Sequence, residues 1–306
     1  GTDGGVFNFG YTEFQGSRGS GEDVENQVIV GMATTASGFG YWLVGGDGGV
    51  YAFGDATYHG SLPELGIVAD NVTAIERSAG GGYYLFRGDG AVYSFGEAVY
   101  YGNALGVAAA PIVAAAVHPL GGYWLLSSQG HVYAFGAAVH HGNVGQNVTG
   151  MCATPGGGGY WAVKADGAVF SFGDANYYGG ANTIGPLNDE VTDIACTGSG
   201  YGYWLAAKDG GVFSFGDAQF YGSLPGPSHN TGLVKGNYWD LSDIVRDLLY
   251  WAGWWLYPAT EIGRIYHDEG LTRPVLFGNI EDTGVTSDDG ANAIVGNAMQ
   301  ATAAQA

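Results

Sequence analysis

Five pairs of neighbouring aromatic side chains recur along this 306-residue chain and are its most suitable ligand contacts: Tyr58-His59, Tyr100-Tyr101, His140-His141, Tyr177-Tyr178 and Phe220-Tyr221. A flat ring with a polar tip can stack on a sugar face and hydrogen-bond at its edge. A pair repeated at intervals therefore points to glycan binding, with weak sites that gain strength together. The competing reading is packing, because side-chain alternation along a strand sends most aromatics into a core. His140-His141 stands where other copies have an aromatic pair. No Asp, Glu or Cys accompanies it in the motif, so no metal site is expected. Asp47-Gly48, Asp89-Gly90, Asp166-Gly167 and Asp209-Gly210 each offer one carboxylate, too few oxygens for calcium, and read as turn residues. No Gly-x-Ser-x-Gly elbow, His-Glu-x-x-His or Walker loop is present, so neither enzyme activity nor a cofactor is expected. A glycosidase pair drawn from the 29 Asp and Glu residues stays open, since carboxylate separation is not legible in a sequence.

The pairs belong to a longer phrase. Gly202-Tyr-Trp-Leu-Ala-Ala-Lys-Asp-Gly-Gly-Val-Phe-Ser-Phe-Gly-Asp-Ala-Gln-Phe-Tyr-Gly-Ser223 has relatives beginning at Gly40, Gly82, Gly122 and Gly159, and a half copy at Asp3–Gly10. The Phe-Gly steps at Phe9, Phe53, Phe95, Phe135, Phe172 and Phe215 are 37 to 44 residues apart, about the length of one propeller blade. In each copy Gly-Tyr-Trp opens a strand and the Asp-Gly pair predicts a type I′ hairpin, with Gln129-Gly130 as the variant. A return strand such as Val50–Phe53 follows, and Thr57–His59 begins a short outer strand. An apolar run precedes each Gly-Tyr-Trp: 28–33, 72–75, 112–117, 148–153 and 191–196. That makes four strands per repeat. One such sheet cannot bury its own face, but several arranged radially can. The expected fold is all-β: a propeller of four-stranded blades, six expected and five complete, with a seventh possible if upstream sequence supplies it.

Glycine, at 58 residues, falls at fixed turn positions and is architectural. A formal charge of −20 with nine Lys and Arg argues against nucleic-acid or anionic-membrane partners. Cys152 and Cys196 sit in the first strands of consecutive repeats, one position out of register. They are expected to face opposite ways and to be two unlinked small buried residues. No apolar run reaches 18 residues and no signal peptide is seen.

The organisation expected is a propeller over 1–223, a linker over 224–235, a helix-containing segment over 236–283 and a low-order tail over 284–306. Residues 1–17 supply the outer strands of an incomplete blade, and 18–27 form a polar loop. Apolar residues at 241, 244, 245, 248, 249 and 252 predict a helix over Asp240–Ala252. Trp251, Trp254 and Trp255 need burial and are the candidate assembly interface, and 275–280 reads as a strand.

The Gly-Tyr-Trp-Leu…Asp-Gly-Gly-Val-Phe-Ser-Phe-Gly-Asp-Ala phrase resembles a repeat of secreted and surface proteins of actinobacteria, read as propeller blades. It covers about two thirds of the chain. Tyr83-Tyr84 replaces Tyr-Trp in one copy, and Gln129 and Ala137 replace both Asp residues in another. Gly236–Pro258, followed by Phe277–Gly284, resembles a segment of minor tail proteins from phages of actinobacteria. That resemblance implies a virion tail-tip location, other tail proteins as partners in a homo- or hetero-oligomeric assembly, and a propeller that contacts host-envelope glycan. The alternatives are a secreted propeller that binds cell-wall carbohydrate at the cell surface, and a glycosidase-type propeller enzyme.

Overall fold

The computed structural model describes residues 1–18 and 28–224. The chain divides into two units, Gly1–Gly236 and Asn237–Ala306. The expected linker beyond Leu224, the helix, the three tryptophans of the assembly interface, the strand at 275–280 and the tail lie outside the described residues, as do residues 19–27.

Each complete repeat folds as one antiparallel sheet, and the five sheets make a β-propeller. Blade 1 is β1 (Ile29–Thr34), β2 (Gly40–Gly45) and β3 (Val50–Gly54). Blade 2 is β4 (Val72–Arg77), β5 (Tyr83–Arg87) and β6 (Val92–Phe95). Blade 3 is β7 (Ile112–Val117), β8 (Gly122–Ser127) and β9 (Val132–Gly136). Blade 4 is β10 (Val148–Ala153), β11 (Gly159–Lys164) and β12 (Val169–Gly173). Blade 5 is β13 (Val191–Cys196), β14 (Gly202–Ala207) and β15 (Val212–Gly216). The first strand of every blade bulges once against the second, as at Ile29/Gly31 and Val191/Asp193.

The blades hold three strands, not the expected four. After each Phe-Gly step the backbone bonds to side chains instead of to a ladder. Trp42 Nε1 donates to Thr57 O at 2.8 Å, and Trp124, Trp161 and Trp204 donate likewise to Val139, Asn176 and Gln219 at 2.7 Å. Tyr84, which stands where the others have Trp, reaches the same carbonyl position, Val99 O, through its hydroxyl at 2.8 Å. The neighbouring tyrosine ties the same segment to the next blade. Tyr83 Oη donates to Gly60 O at 2.5 Å and accepts from His59 N at 3.2 Å. Tyr123, Tyr160 and Tyr203 repeat both bonds on Tyr101/Gly102, His141/Gly142 and Tyr178/Gly179. Burial pushes the phenols of Tyr83, Tyr123 and Tyr203 up to about 12, so they remain donors.

The hairpins also depart from expectation. Gly48 N donates to Gly45 O and Gly45 N to Gly49 O, both at 2.9 Å. Gly48 has φ +82° and Asp47 does not have positive φ, which excludes a type I′ turn. The loop has three residues: a type I turn closed by a left-handed glycine. The carboxylate of Asp47 accepts from Gly49 N at 2.9 Å, and Asp89, Asp166 and Asp209 act alike. Where Gln129 breaks the pattern, Ser127 Oγ takes the equivalent His131 N–H at 3.1 Å. In blades 1, 4 and 5 the second Asp of the phrase clasps the loop that follows the inner strand. Asp55 binds Thr35 and Ser37, and Asp217 binds Thr197 and Ser199. Those hydroxyls hold the Asp55 carboxyl below its ordinary value. In blade 3, where Ala137 removes this Asp, the threonine is also replaced. His118 lies there, buried against Trp124 at 5.4 Å, and its Nδ1 accepts from Leu120 N.

Blades pack face to face, the Trp face of one against the Tyr face of the next. Trp42 meets Tyr83 at 5.4 Å, Trp124 meets Tyr160 at 5.5 Å and Trp161 meets Tyr203 at 5.9 Å. This geometry overturns the reading of the cysteines. Cys152 is paired across the strands with Trp161, and Cys196 with Tyr203. Directly opposed residues share a face, so each cysteine joins its aromatic partner at the blade 4–blade 5 interface. Facing opposite ways within the repeat is what brings them together across it: they form a disulfide with Cα atoms 6.0 Å apart.

The half copy occupies a sixth position in the ring. Ile29 N donates to Thr2 O at 2.8 Å, as Val72 N does to Gly46 O at 3.0 Å between blades 1 and 2. On the other side Tyr11 packs edge-on against Tyr221 at 6.4 Å. A Cβ at Gly222 would lie 2.7 Å from the Phe9 ring, as one at Gly179 would lie 2.6 Å from Phe215. Residues 6–9 form no ladder among the described residues.

Two outcomes follow. Tyr160→Phe leaves His141 N–H and Gly142 C=O without their shared hydroxyl. Unfolding free energy should fall by about 1–3 kcal/mol in equilibrium urea titration. Reduction of the disulfide, or Cys196→Ser, releases a closure spanning 44 residues. The loop-entropy relation sets the loss at about 4 kcal/mol, and an unchanged urea midpoint under reductant would contradict it.

Candidate functional site

The ten aromatic-pair residues divide into two groups. The second member of each pair packs inward on the next blade's tyrosine. His59 lies 5.8 Å from Tyr83, Tyr101 6.1 Å from Tyr123, His141 5.9 Å from Tyr160 and Tyr178 5.8 Å from Tyr203. Tyr221 has the Tyr11 contact at the closing junction. These contacts lean the five side chains on the blade interfaces, although Tyr101, His141 and Tyr221 also keep an exposed face, Tyr221 at 47%. The backbone amides of the first four also bond the tyrosine hydroxyls described above.

The first members are free of that duty. Tyr58, Tyr100, Tyr177 and Phe220 are between 43% and 59% exposed, and His140 is exposed at the same position. In the first four copies the residues that follow them are held by the same interblade tyrosine bonds, so these rings recur at an equivalent outer place, with Phe220 at the matching position of blade 5. In two blades a carboxamide three residues on bonds the ring's polar tip. Asn103 Nδ2 donates to Tyr100 Oη at 2.5 Å, and Asn143 Oδ1 pairs with His140 Nε2 at 3.2 Å. An aromatic face beside an amide can stack on a pyranose ring and bond its hydroxyls. His140-His141 gathers no acid or cysteine. Among the described residues no group of three or more His, Cys, Asp or Glu could hold a metal ion.

A second feature was not legible in the repeat phrase. The first strands of the five blades line a central cavity of about 780 Å³, with Thr73, Glu76, Arg77, Thr149, Asp193 and Thr192 among its polar lining. Glu76 and Asp193 stand at positions where other blades carry small residues: Ala33, Ala116, Cys152 and Ala195 align with Glu76, and Gly31, Ala74, Ala114 and Gly150 with Asp193. Both line the cavity, Glu76 half-buried and Asp193 open to the water of the channel. Burial pushes Glu76 up to about 8, with Asp193 adding repulsion and Arg77 offsetting part of it. Burial likewise pushes Asp193 up to about 6, against a hydrogen bond from Ile194 N at 2.8 Å. The only sequence signal was an acid at an inner-strand position that other copies fill with a small residue.

No family model matches the chain, and no curated protein matches it. Among solved structures, one described as "YCF48 bound to D1 peptide" is similar with a TM-score of 0.44 and 16% identity, over 66% of this chain and 68% of that one. The propeller assignment stands on the sheets and their interblade bonds.

The channel acids give a pH prediction. Glu76 deprotonates near 4.5 ordinarily and at about 8 in the fold, so between these values the folded state holds the extra proton. Its contribution is most favourable below pH 4.5, declines as pH rises and levels off above about 8. Glu76→Gln should therefore raise the melting temperature relative to the parent at pH 9 and change it least at pH 4. Equal shifts at both values would show that Glu76 is not desolvated.

Proposed function

We propose that the protein is a non-catalytic adhesive component whose propeller grips surface glycan through Tyr58, Tyr100, His140, Tyr177 and Phe220. The supporting observation is the recurrence of an exposed aromatic at one outer position of each blade, beside a second aromatic that is used for packing. Each contact alone is weak, and several engaging one polymer gain by effective concentration. The resemblance of Gly236–Pro258 to phage minor tail proteins makes the carrier a virion tail. Other tail chains would then meet Trp251, Trp254 and Trp255, and the glycan would belong to the host envelope. This reading gives the channel acids no part in turnover.

The second reading, a secreted propeller bound to cell-wall carbohydrate, is favoured by one observation. The Cys152–Cys196 bond suits an oxidising, extracellular setting. Both readings share the rim aromatics and differ in what the C-terminal segment joins.

Co-sedimentation of the whole chain with intact actinobacterial cells, with purified envelope glycan as competitor, tests the shared part. Single alanine replacements at Tyr58, Tyr100 or Tyr177 should weaken binding a few-fold. The triple replacement should weaken it by about 100-fold or more, because avidity multiplies. An unchanged triple variant would remove the rim from consideration.

A further inference from the structure

We infer that the glycan gripped at the rim is an amino-sugar polymer carrying free ammonium groups, and that Glu64, beside Tyr58 in blade 1, is the residue that selects it. The inference rests on the rim reading proposed above and concerns the chemistry of the sugar.

The first observation is the charge of the rim. The segments 55–64, 97–106, 137–146, 174–183 and 217–224 carry the five outward aromatics. They hold Asp55, Glu64, Glu97, Asp174 and Asp217 and no Lys or Arg. All five acids are exposed. Four of them recur at one place, three residues before Tyr58, Tyr100, Tyr177 and Phe220. Asp55 keeps its charge while it clasps its loop. The hydroxyls of Ser37 and Thr35 donate to the ionised form and hold the carboxyl below its ordinary value. A polymer of phosphates or uronates would meet repulsion at four of the five rim positions, whereas ammonium groups would meet attraction.

The second observation is the site on blade 1. The 3₁₀ turn Pro63–Leu65 brings Glu64 back towards the aromatic pair. Glu64 Oε2 lies 3.6 Å from where a Cβ at Gly60 would stand, and the Tyr58 hydroxyl bonds both Ser61 and the Glu64 carboxylate. Blades 2 and 3 place a neutral amide on the same ring tip, from Asn103 and Asn143. At the offset of Glu64 they carry Gly106 and Gln146, and blade 4 carries Thr183. A carboxylate that accepts from one phenol keeps lone pairs for a further donor. A cation held there also faces an aromatic ring, which attracts positive charge. A hexosamine stacked on Tyr58 would meet ring and carboxylate together.

Blade 3 sets the limit. Ala137 stands where the other blades have an acid, and Lys164 Nζ lies 3.8 Å from where a Cβ at Gly145 would stand. His140 and Asn143 therefore suit an uncharged hydroxyl or acetamido group. The rim as a whole fits a polymer in which free and acetylated amino sugars are mixed.

The test uses the whole chain in calorimetry, at mildly acid pH that keeps the sugar amines protonated. The probes are hexamers of glucosamine, of N-acetylglucosamine and of glucuronate, with a lysine hexapeptide as the charge control. An exposed ion pair changes affinity about two- to fivefold, so several together should make the free-amine hexamer bind about tenfold or more tighter than the acetylated one. The glucuronate hexamer should bind weakest. Glu64→Gln should cut binding of the free-amine hexamer about two- to fivefold, and Glu64→Lys should cut it further. Salt at about 1 M, where the screening length is about 3 Å, should erase the preference. Equal affinity for the two amino-sugar hexamers, or a preference for glucuronate, overturns the proposal and leaves the rim reading in place. A preference that survives Glu64→Lys overturns the role of Glu64. A lysine hexapeptide that binds as tightly as the amino sugar shows that net charge alone is read, and overturns it too. A chain that ignores every hexamer but still sediments with cells removes the amino sugar alone; one that binds neither removes the rim reading with it.

Discussion

The tyrosine of each Gly-Tyr-Trp strand is the part on which the ring depends. Its ring lies between the preceding blade's tryptophan and its own blade's phenylalanine; Tyr203, for example, is 5.9 Å from Trp161 and 5.7 Å from Phe215. Its hydroxyl meets a backbone N–H and C=O of the preceding blade's outer segment. One side chain thus supplies apolar burial and satisfies two groups that would otherwise be unpaired. Leaving such groups unmade costs more than making them gains, so the bond specifies blade spacing as much as it stabilises the junction. The same economy explains the missing fourth strand. Its ladder is replaced by indole and phenol bonds that reach from two different blades.

The repeat length, the five complete copies and the first three strands of each blade were legible because they depend on periodicity and turn chemistry, while the expected fourth strand did not form. Even the irregular copies follow local rules. Gln129 loses the turn carboxylate and Ser127 replaces its function. Ala137 loses the clasp and His118 fills the place of the threonine it bound. These exchanges are pairwise and distant in sequence, so a position-by-position reading shows only the loss.

What stayed hidden depended on how one blade faces the next. Cys152 and Cys196 were read within one repeat, where opposite facing means separation. Between stacked blades it means contact. The aromatic pairs failed to divide for the same reason. Only the blade interface shows that His59, Tyr101, His141 and Tyr178 lean onto a tyrosine while their predecessors point away. Glu76 and Asp193 were lost among 29 acids because the cavity that distinguishes them is made by five strands from five blades.

The division between the two members of each pair bears on how adhesion would work. The inward position accepts His or Tyr, each able to pack on the adjacent phenol. The outward position holds Tyr, His or Phe, and no neighbouring blade restricts the choice. Amides accompany Tyr100 and His140, while Gly180 stands at that offset after Tyr177. The outer sites are thus similar in placement and unequal in chemistry. A single shaped pocket repeated around the ring would require the reverse: fixed polar partners and a fixed aromatic. Unequal weak contacts on a rigid ring suit a heterogeneous polymer, where affinity comes from how many blades engage rather than from the fit of any one. The channel differs, a wide cavity lined by the first strands, where Glu76 and Asp193 both have carboxyls held above their ordinary values. Rim and channel are therefore separate features: under the proposed function the first would serve recognition, and the second bears on the pH range over which the ring holds.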